Sequence, residues 1–368
     1  MRIRLFRRGN APDYVLITIT FLLVIFGLVM LASASSDLAK RKFDDSYFYL
    51  KHQILYGISL GIIGFWLASK IYYKMYQKYA FVLLLLGIGL LISIFTPLGF
   101  SAGGADRWLR IGSVVFQPSE LLKIFFIIYM AAWLSGREER KNNFWKGFVP
   151  FLLVSGLITF LLIRQPSTST VVILMGSALA VYFASGARLR FVAGIIALGV
   201  LGLALVAYSS PYRRERIMTF LNPETNLESS GYHINQAKIA IGVGGLLGVG
   251  YGQSTTKILY LPEVIGDSIF VVIAEELGFV GVIFLLLLFV TFVIRGFLLA
   301  RRTNDQFGNL LLIGFSALIT IQTFIHIGAM SGLLPLTGTP LPFVSYGGTA
   351  LAVFMTISGI MVNISKYN

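Results

Sequence analysis

The chain has 368 residues, of which 56% are hydrophobic and only 12% charged, and it contains no cysteine. A mean hydropathy of +0.81 removes it from the range of soluble globular domains, and the missing cysteines remove a disulfide framework, a thiolate metal site and a cysteine nucleophile. The net charge of +14 would suggest nucleic acid in a soluble protein, but here the Lys and Arg fall in short connectors between apolar runs, where topology and lipid headgroups account for them.

The N-terminal MRIRLFRRGNAPDY is basic and leads into about 20 apolar residues. With no convincing cleavage site, it reads as a retained first span. Ten runs are long enough to cross a bilayer, near residues 14–34, 53–69, 79–97, 118–135, 147–163, 168–185, 189–208, 268–294, 307–329 and 347–364. The expected fold is therefore an all-α polytopic membrane protein of about ten helices, a single integral membrane domain over 1–368. One large outer loop, about 209–267, separates the seventh and eighth spans. Placing the N-terminus in the cytoplasm puts 17 Lys and Arg inside, so both termini are expected to be cytoplasmic.

That orientation gathers every unusual loop on the outer side, where chemistry is expected. The glycines of IGVGGLLGVGYG lack a preceding predicted strand and a following Lys-Ser or Lys-Thr, so no nucleotide cradle and no nucleic acid are expected. The first outer loop, SSDLAKRKFDDSYFY, reads as an interfacial cap. In the second, Gly103-Gly104 suits a tight turn, Arg107 and Arg110 suit one side of it, and Trp108 suits the headgroup level. Pro118 suits the first turn of the fourth span, in which Glu120 and Lys123 form an i,i+3 pair, either a self-neutralising salt bridge or a substrate contact.

In the third, Arg164 either snorkels to the interface or joins Gln165 and Arg107 in a basic crater for an anion. The long loop adds Arg213, Arg214 and Arg216, and an expected amphipathic helix over 232–241 carrying His233. A lone histidine is more often a hydrogen-bonded structural group than a catalyst. Then come the carboxylates of GYGQSTTKILYLPEVIGDSIFVVIAEELGF, residues 250–279. Asp267 suits either a helix N-cap or a functional carboxylate kept ionised near a helix N-terminus. Glu275 and Glu276 suit either a helix that begins outside and enters the membrane near Gly278, or a polar cavity within the bundle. The last outer loop has three prolines and no charge, with Ser345-Tyr346-Gly347-Gly348 at the entrance to the final span, and reads as re-entrant or crater-lining.

Four segments in order, RWLRIGSVVFQPSELLK (107–123), GYHINQAKIAIGVGGLLGVGYGQS (231–254), YLPEVIGDSIFVVIAEELGFVG (260–281) and LPLTGTPLPFVSYGGTALA (334–352), resemble the SEDS family, the shape, elongation, division and sporulation proteins. The resemblance covers essentially the whole chain. IGDS at 265–268 and PLTGTPLPFVSYGG look more like the division and sporulation branches than the elongation branch. It implies a bacterial cytoplasmic membrane enzyme that polymerises lipid II, an undecaprenyl-diphosphate-linked disaccharide pentapeptide, into glycan strands at the outer face. The family's essential aspartate falls on Asp267 and its sensitive loop tryptophan on Trp108. Other polar positions of its crater fall on Arg107, Gln117, Glu120, Lys123, Gln165, Glu275 and Ser345, and Arg164, Arg213 and Arg214 are further candidates for the diphosphate.

Ser167-Thr168-Ser169-Thr170 stands where the family often has Asp-Leu-Gly-Thr, which removes an acidic group from that turn. No cofactor is required by the sequence, although a divalent cation, Mg or Mn, is compatible with the diphosphate. The implied partners are a class B penicillin-binding protein transpeptidase and other division membrane proteins. The alternatives are a lipid II flippase, a non-catalytic scaffold or an elongation-type polymerase.

Overall fold

The computed structural model describes residues 9–102, 105–112, 114–222 and 230–368. Arg2, Arg4, Arg7 and Arg8, the Gly103-Gly104 turn and residues 223–229 of the long loop lie outside them. In chain order the helices are α1 (Tyr14–Phe43), α2 (Phe48–His52), α3 (Ser59–Lys70), α4 (Lys74–Ser93), α5 (Pro118–Ser135), α6 (Glu139–Asn142), α7 (Val149–Arg164) and α8 (Thr168–Ala184). They continue with α9 (Leu189–Tyr208), α10 (Pro211–Leu221), α11 (Ser230–Gly244), α12 (Thr256–Leu259), α13 (Ile269–Arg302), α14 (Gln306–Met330) and α15 (Gly348–Ser365). Wider π-type turns, Gln53–Ile58 and Phe144–Phe148, lead into α3 and α7.

Among the described residues nine helical segments are long and apolar enough to cross a membrane, and the 17-residue α8 is a shorter apolar helix beside them. The chain is a multi-pass membrane protein. The helices form because each apolar run must satisfy its backbone internally once water is gone.

α14 and α15 are buried along most of their length, whereas α9 buries only Phe191 and Val192 and stands at the periphery. α15 lies close along α3 because Gly359 faces the α3 backbone; a Cβ there would meet the Phe65 carbonyl at 2.5 Å. Both chain ends meet at one end of the bundle, where the Asn10 N–H donates to the Lys366 carbonyl. At the same end Asp13 caps α1 through the Leu16 N–H (2.8 Å) and pairs with Arg295 of α13 (2.6 Å).

Two features depart from the sequence expectations, and a third follows one of two readings that the sequence left open. α1 runs on to Phe43, so the first outer loop shrinks to the few residues between Phe43 and Phe48; SSDLAKRKF is polar but has no helix breaker. The second outer loop is not simply a turn. It holds a three-stranded antiparallel sheet, β1 (Gly99–Ala102), β2 (Ala105–Ile111) and β3 (Val114–Phe116), in an otherwise helical protein. Third, α13 is broken at Gly278 (φ 63, ψ −162), so the span proper begins there, and the preceding nine residues form a short helix buried in protein.

Candidate functional site

The stretch between α12 and α13 forms a tight turn at the end of the bundle remote from the termini. Glu263 adopts a left-handed backbone (φ 48), which lets its carbonyl take the N–H groups of both Gly266 and Ser268 at 3.1 Å. The Ser268 hydroxyl donates back to the Pro262 carbonyl (2.7 Å). From the α14–α15 loop, the Ser345 hydroxyl donates to the Gly266 carbonyl (2.7 Å) and the Tyr346 N–H to the Ile265 carbonyl (2.9 Å).

Asp267 sits in this clamped turn with a half-buried carboxylate that has no hydrogen bond or salt bridge among the described residues. It does not cap α13; Ser268 occupies the N-cap position, and even its side chain makes no capping bond. That removes the capping role as the reason for an aspartate here. Gly338 lets the α14–α15 loop lie against the carboxylate, since a Cβ at 338 would come within 3.2 Å of Asp267 Oδ2.

Burial, and next to it the Glu263 carboxylate, push the Asp267 carboxyl up to about 6, while Arg216 and Arg107 pull the other way. The expected helix-terminus stabilisation is thus outweighed by desolvation, yet the group remains mostly ionised at pH 7. Such a carboxylate is basic enough to accept a proton and charged enough to be ready for it.

The cations reach this end of the bundle through the C-terminus of α7, whose last carbonyls lack helical partners. Arg107 on β2 donates from Nε to the Gln165 carbonyl (3.1 Å) and from its guanidinium to the Pro166 carbonyl. Arg213 on α10 donates to the Ile163 carbonyl (3.0 Å), and Arg216, one turn on, donates to the Leu336 carbonyl (3.3 Å). Gln165 is fully buried and ties α7 to the Leu91 carbonyl of α4 (3.1 Å). Arg216 was noted in the sequence only as part of a basic cluster. Its i,i+3 spacing from Arg213 becomes visible once Pro211–Leu221 is read as a helix.

The other candidates go elsewhere. Strand alternation puts Trp108 and Arg110 on the face of β2 opposite Arg107 and the buried Leu109, and Arg110 stacks on the Phe100 ring (3.9 Å). Trp108 therefore does not share a face with the Arg107 cluster. Arg164 is exposed and lies over the Phe160 ring (5.2 Å), the snorkelling arrangement and not the crater. Arg214 lines a separate open cavity of about 380 Å³ with Tyr208, Glu215 and Met218. Gln117 is half-buried at the N-cap of α5 and makes no capping bond.

Glu120 and Lys123 are 2% and 1% exposed and pair at 2.6 Å, with Lys123 also bonded to Gln322 Oε1 (2.9 Å). Their closed bridge sits inside the bundle. Gln322 in turn donates to the Pro340 carbonyl (2.8 Å) and His326 Nδ1 bonds the Thr339 carbonyl (2.7 Å), so α5 and α14 together hold the loop that carries Gly338. Two further expectations are corrected. Glu275 is buried and receives Ser254 Oγ, Thr256 Oγ1 and the N–H groups of Thr255 and Thr256, leaving little to offer a substrate. Ser345 is 3% exposed, with its hydroxyl already used between the Leu341 N–H and the Gly266 carbonyl, so it braces the turn. Among the described residues no three His, Asp or Glu side chains converge to hold a metal ion.

The model of the FtsW, RodA and SpoVE family, described as a cell cycle protein, matches residues 13–368. Stage V sporulation protein E of Bacillus subtilis (strain 168) is 36% identical over 362 residues, covering 98% of this chain and 99% of that protein. The probable peptidoglycan glycosyltransferase FtsW of Geobacter metallireducens is 38% identical over 354 residues, covering 96% and 94%. Among solved structures, a chain of a peptidoglycan synthase complex studied for structural coordination of polymerization and crosslinking superposes with a TM-score of 0.80 at 26% identity, covering 96% of this chain and 98% of that one. The rod shape determining protein RodA of Thermus thermophilus shares the fold, with a TM-score of 0.71 at 24% identity over 97% and 98% of the two chains.

Proposed function

The chain belongs to the FtsW, RodA and SpoVE family of cell cycle proteins, and we propose on that premise that it is a peptidoglycan glycosyltransferase of the division type. It polymerises lipid II at the outer face of the bacterial cytoplasmic membrane, with both termini in the cytoplasm. The meeting of Asn10 with Lys366 at the end opposite Asp267 supports that orientation. The observation that carries the reading is the Asp267 carboxylate: half-buried, unpartnered, raised to about 6 and set within the field of Arg107 and Arg216.

A sugar on a lipid diphosphate already carries its leaving group. What remains for the protein is positioning, a base and a cationic seat for the departing charge. Asp267 accepts the proton of the acceptor sugar's 4-hydroxyl as that oxygen bonds to the donor's anomeric carbon. The bond from that carbon to the diphosphate oxygen breaks at the same centre, the electron pair leaves with the undecaprenyl diphosphate, and the configuration inverts. Arg107, Arg213 and Arg216, whose guanidinium groups are already oriented by carbonyls, meet the diphosphate charge. A class B penicillin-binding protein is the partner that cross-links the strands; the fold shared with a chain of a peptidoglycan synthase complex supports this.

The test is conversion of labelled lipid II to polymer by purified wild type and Asp267→Ala, with and without that partner. Wild type makes polymer and the variant makes none; polymer from the variant would remove Asp267 from the role of base. A wild type that moves lipid II between leaflets without consuming it would replace the enzyme with a transporter.

A further inference from the structure

Asp267 makes no hydrogen bond of its own, so its backbone alone decides where the carboxylate points. On the N-terminal side that backbone is held by Ser345 and Tyr346, which fasten Gly266 and Ile265 to the α14–α15 loop. On the C-terminal side the next residue is Ser268. A serine at an N-cap ordinarily accepts an N–H from the first turn of its helix. Ser268 gives that up: its hydroxyl proton goes to the Pro262 carbonyl (2.7 Å), and its oxygen stands 2.7 Å from His233 Nε2. Since the hydroxyl proton is already used, the oxygen is the acceptor and His233 donates Nε2–H, which sets the tautomer of the ring. The backbone N–H of Ser268 is likewise bound, to the Glu263 carbonyl (3.1 Å).

We infer that His233 is a positioning residue for Asp267, acting through Ser268: α11 holds the C-terminal side of the turn while the α14–α15 loop holds the other. The inference rests on the proposed role of Asp267. It gives this His an assignment beyond generic packing, because its one side-chain hydrogen bond among the described residues falls on the residue next to the proposed base. Burial and the neighbouring Arg216 lower the imidazole to about 4, so it is a neutral, fixed donor at working pH and not a second proton carrier. The charged groups that face the turn are Glu263, Arg216 and Arg107.

The full chain with its transpeptidase partner is assayed for lipid II turnover as wild type, His233→Ala, His233→Gln, Ser268→Ala and the double His233→Ala/Ser268→Ala. Loss of alignment lowers kcat by about 10-fold in each alanine variant with KM held within about twofold, because the reacting groups and not the bound lipid are displaced. His233→Gln, whose amide N–H reaches the same hydroxyl, returns most of the rate, and the double variant is no slower than either single, as expected for two members of one contact. The acid limb of the pH profile moves in the alanine variants and stays in place in His233→Gln. A His233→Ala enzyme with wild-type kcat, a loss confined to KM, or additive effects in the double would overturn the inference.

Amide hydrogen exchange of the same full-length proteins supplies the readout without turnover. Faster exchange at Gly266 and Ser268 is expected in His233→Ala and not in His233→Gln, and unchanged exchange in His233→Ala defeats the positioning role. A wild type that makes no polymer would count against the proposed function alone, and the exchange data would still decide the role of His233.

Discussion

Two groups of carboxylates stand within ten residues of each other in one segment, and the protein treats them in opposite ways. Glu275 receives two hydroxyls and two backbone N–H groups, and Glu276 receives the Ser33 hydroxyl (2.7 Å) and the Lys257 ammonium (2.7 Å). Both side chains are sealed, and they staple the loop after α11, α12 and the middle of α1 to the short helix ahead of the Gly278 break. That splice depends on close backbone approach. Gly248 lies so near Glu276 that a Cβ would fall 2.1 Å from its carbonyl, and the Gly250 N–H donates to the same carbonyl (3.1 Å). Asp267 receives nothing. The difference shows which charge the fold consumes and which it leaves available: a buried carboxylate with a full set of donors stabilises structure, and one held by its neighbours' bonds but empty-handed is a candidate for function.

The widest gap between the two regions should appear in Asp267→Asn. Removing the proposed base is expected to lower turnover of labelled lipid II by about 10²- to 10⁴-fold with an intact thermal transition. The stability effect has a definite sign. The folded-state carboxyl lies above its ordinary 3.8, so the native state holds the proton more tightly, and wild-type stability falls as pH rises from about 4 to about 6. Thermal unfolding of Asp267→Asn across that range should lose this slope.

The reverse pattern is expected at the other region. Lys257→Met leaves Glu276 buried without its cation and should cost about 3–5 kcal/mol of stability, read as a lowered Tm in detergent, with turnover per folded molecule preserved. Equal stability losses for Lys257→Met and Asp267→Asn would erase the distinction.

A smaller effect is expected from the arginines. Arg107→Gln and Arg216→Gln each remove a charge that lowers the Asp267 carboxyl, so the acid limb of the pH profile moves to higher pH and turnover drops by about 10²-fold. Glu263→Gln removes a charge that raises it, and the limb moves to lower pH. Smallest of all, Arg164→Ala, which gives up only a contact over an exposed Phe160 ring, should change turnover by less than about twofold.

The bilayer makes much of this fold readable. A run of apolar residues must be a helix there, and the fourth span, bounded by Pro118 and Ser135, has the ends its residues predict. The overrun of α1 into SSDLAKRKF was not readable, because polar residues without Gly or Pro are equally compatible with a helix and a loop. The β1–β3 sheet was hidden for a related reason: RWLRIGSVVF is too short and too mixed for alternation to stand out, yet pairing sends Arg107 and Trp108 to opposite faces. Entry of the eighth span near Gly278 was one of two readings the sequence left open, and nothing local to it announced that loop residues after α11 would bond across the break.

By itself the sequence determined the helical membrane class, the approximate place of the apolar runs, the gathering of unusual loops at one end and the prominence of Asp267, because hydrophobic length and costly charge are properties of residues taken along the chain. Only the tertiary structure decided which polar groups remain free. Glu263, Asp267, Glu275 and Glu276 carry the same functional group, but donors from α1, α12 and the loop before α12 reach only Glu275 and Glu276, and burial separates Asp267 from the exposed Glu263. Hydrogen-bond satisfaction is a property of contacts hundreds of residues apart, such as Ser33 with Glu276, and no local pattern records it. The clamped turn at 262–268, in which the exposed Glu263 and the half-buried Asp267 carboxylates are both left unbonded among the described residues, is the outcome of that distribution.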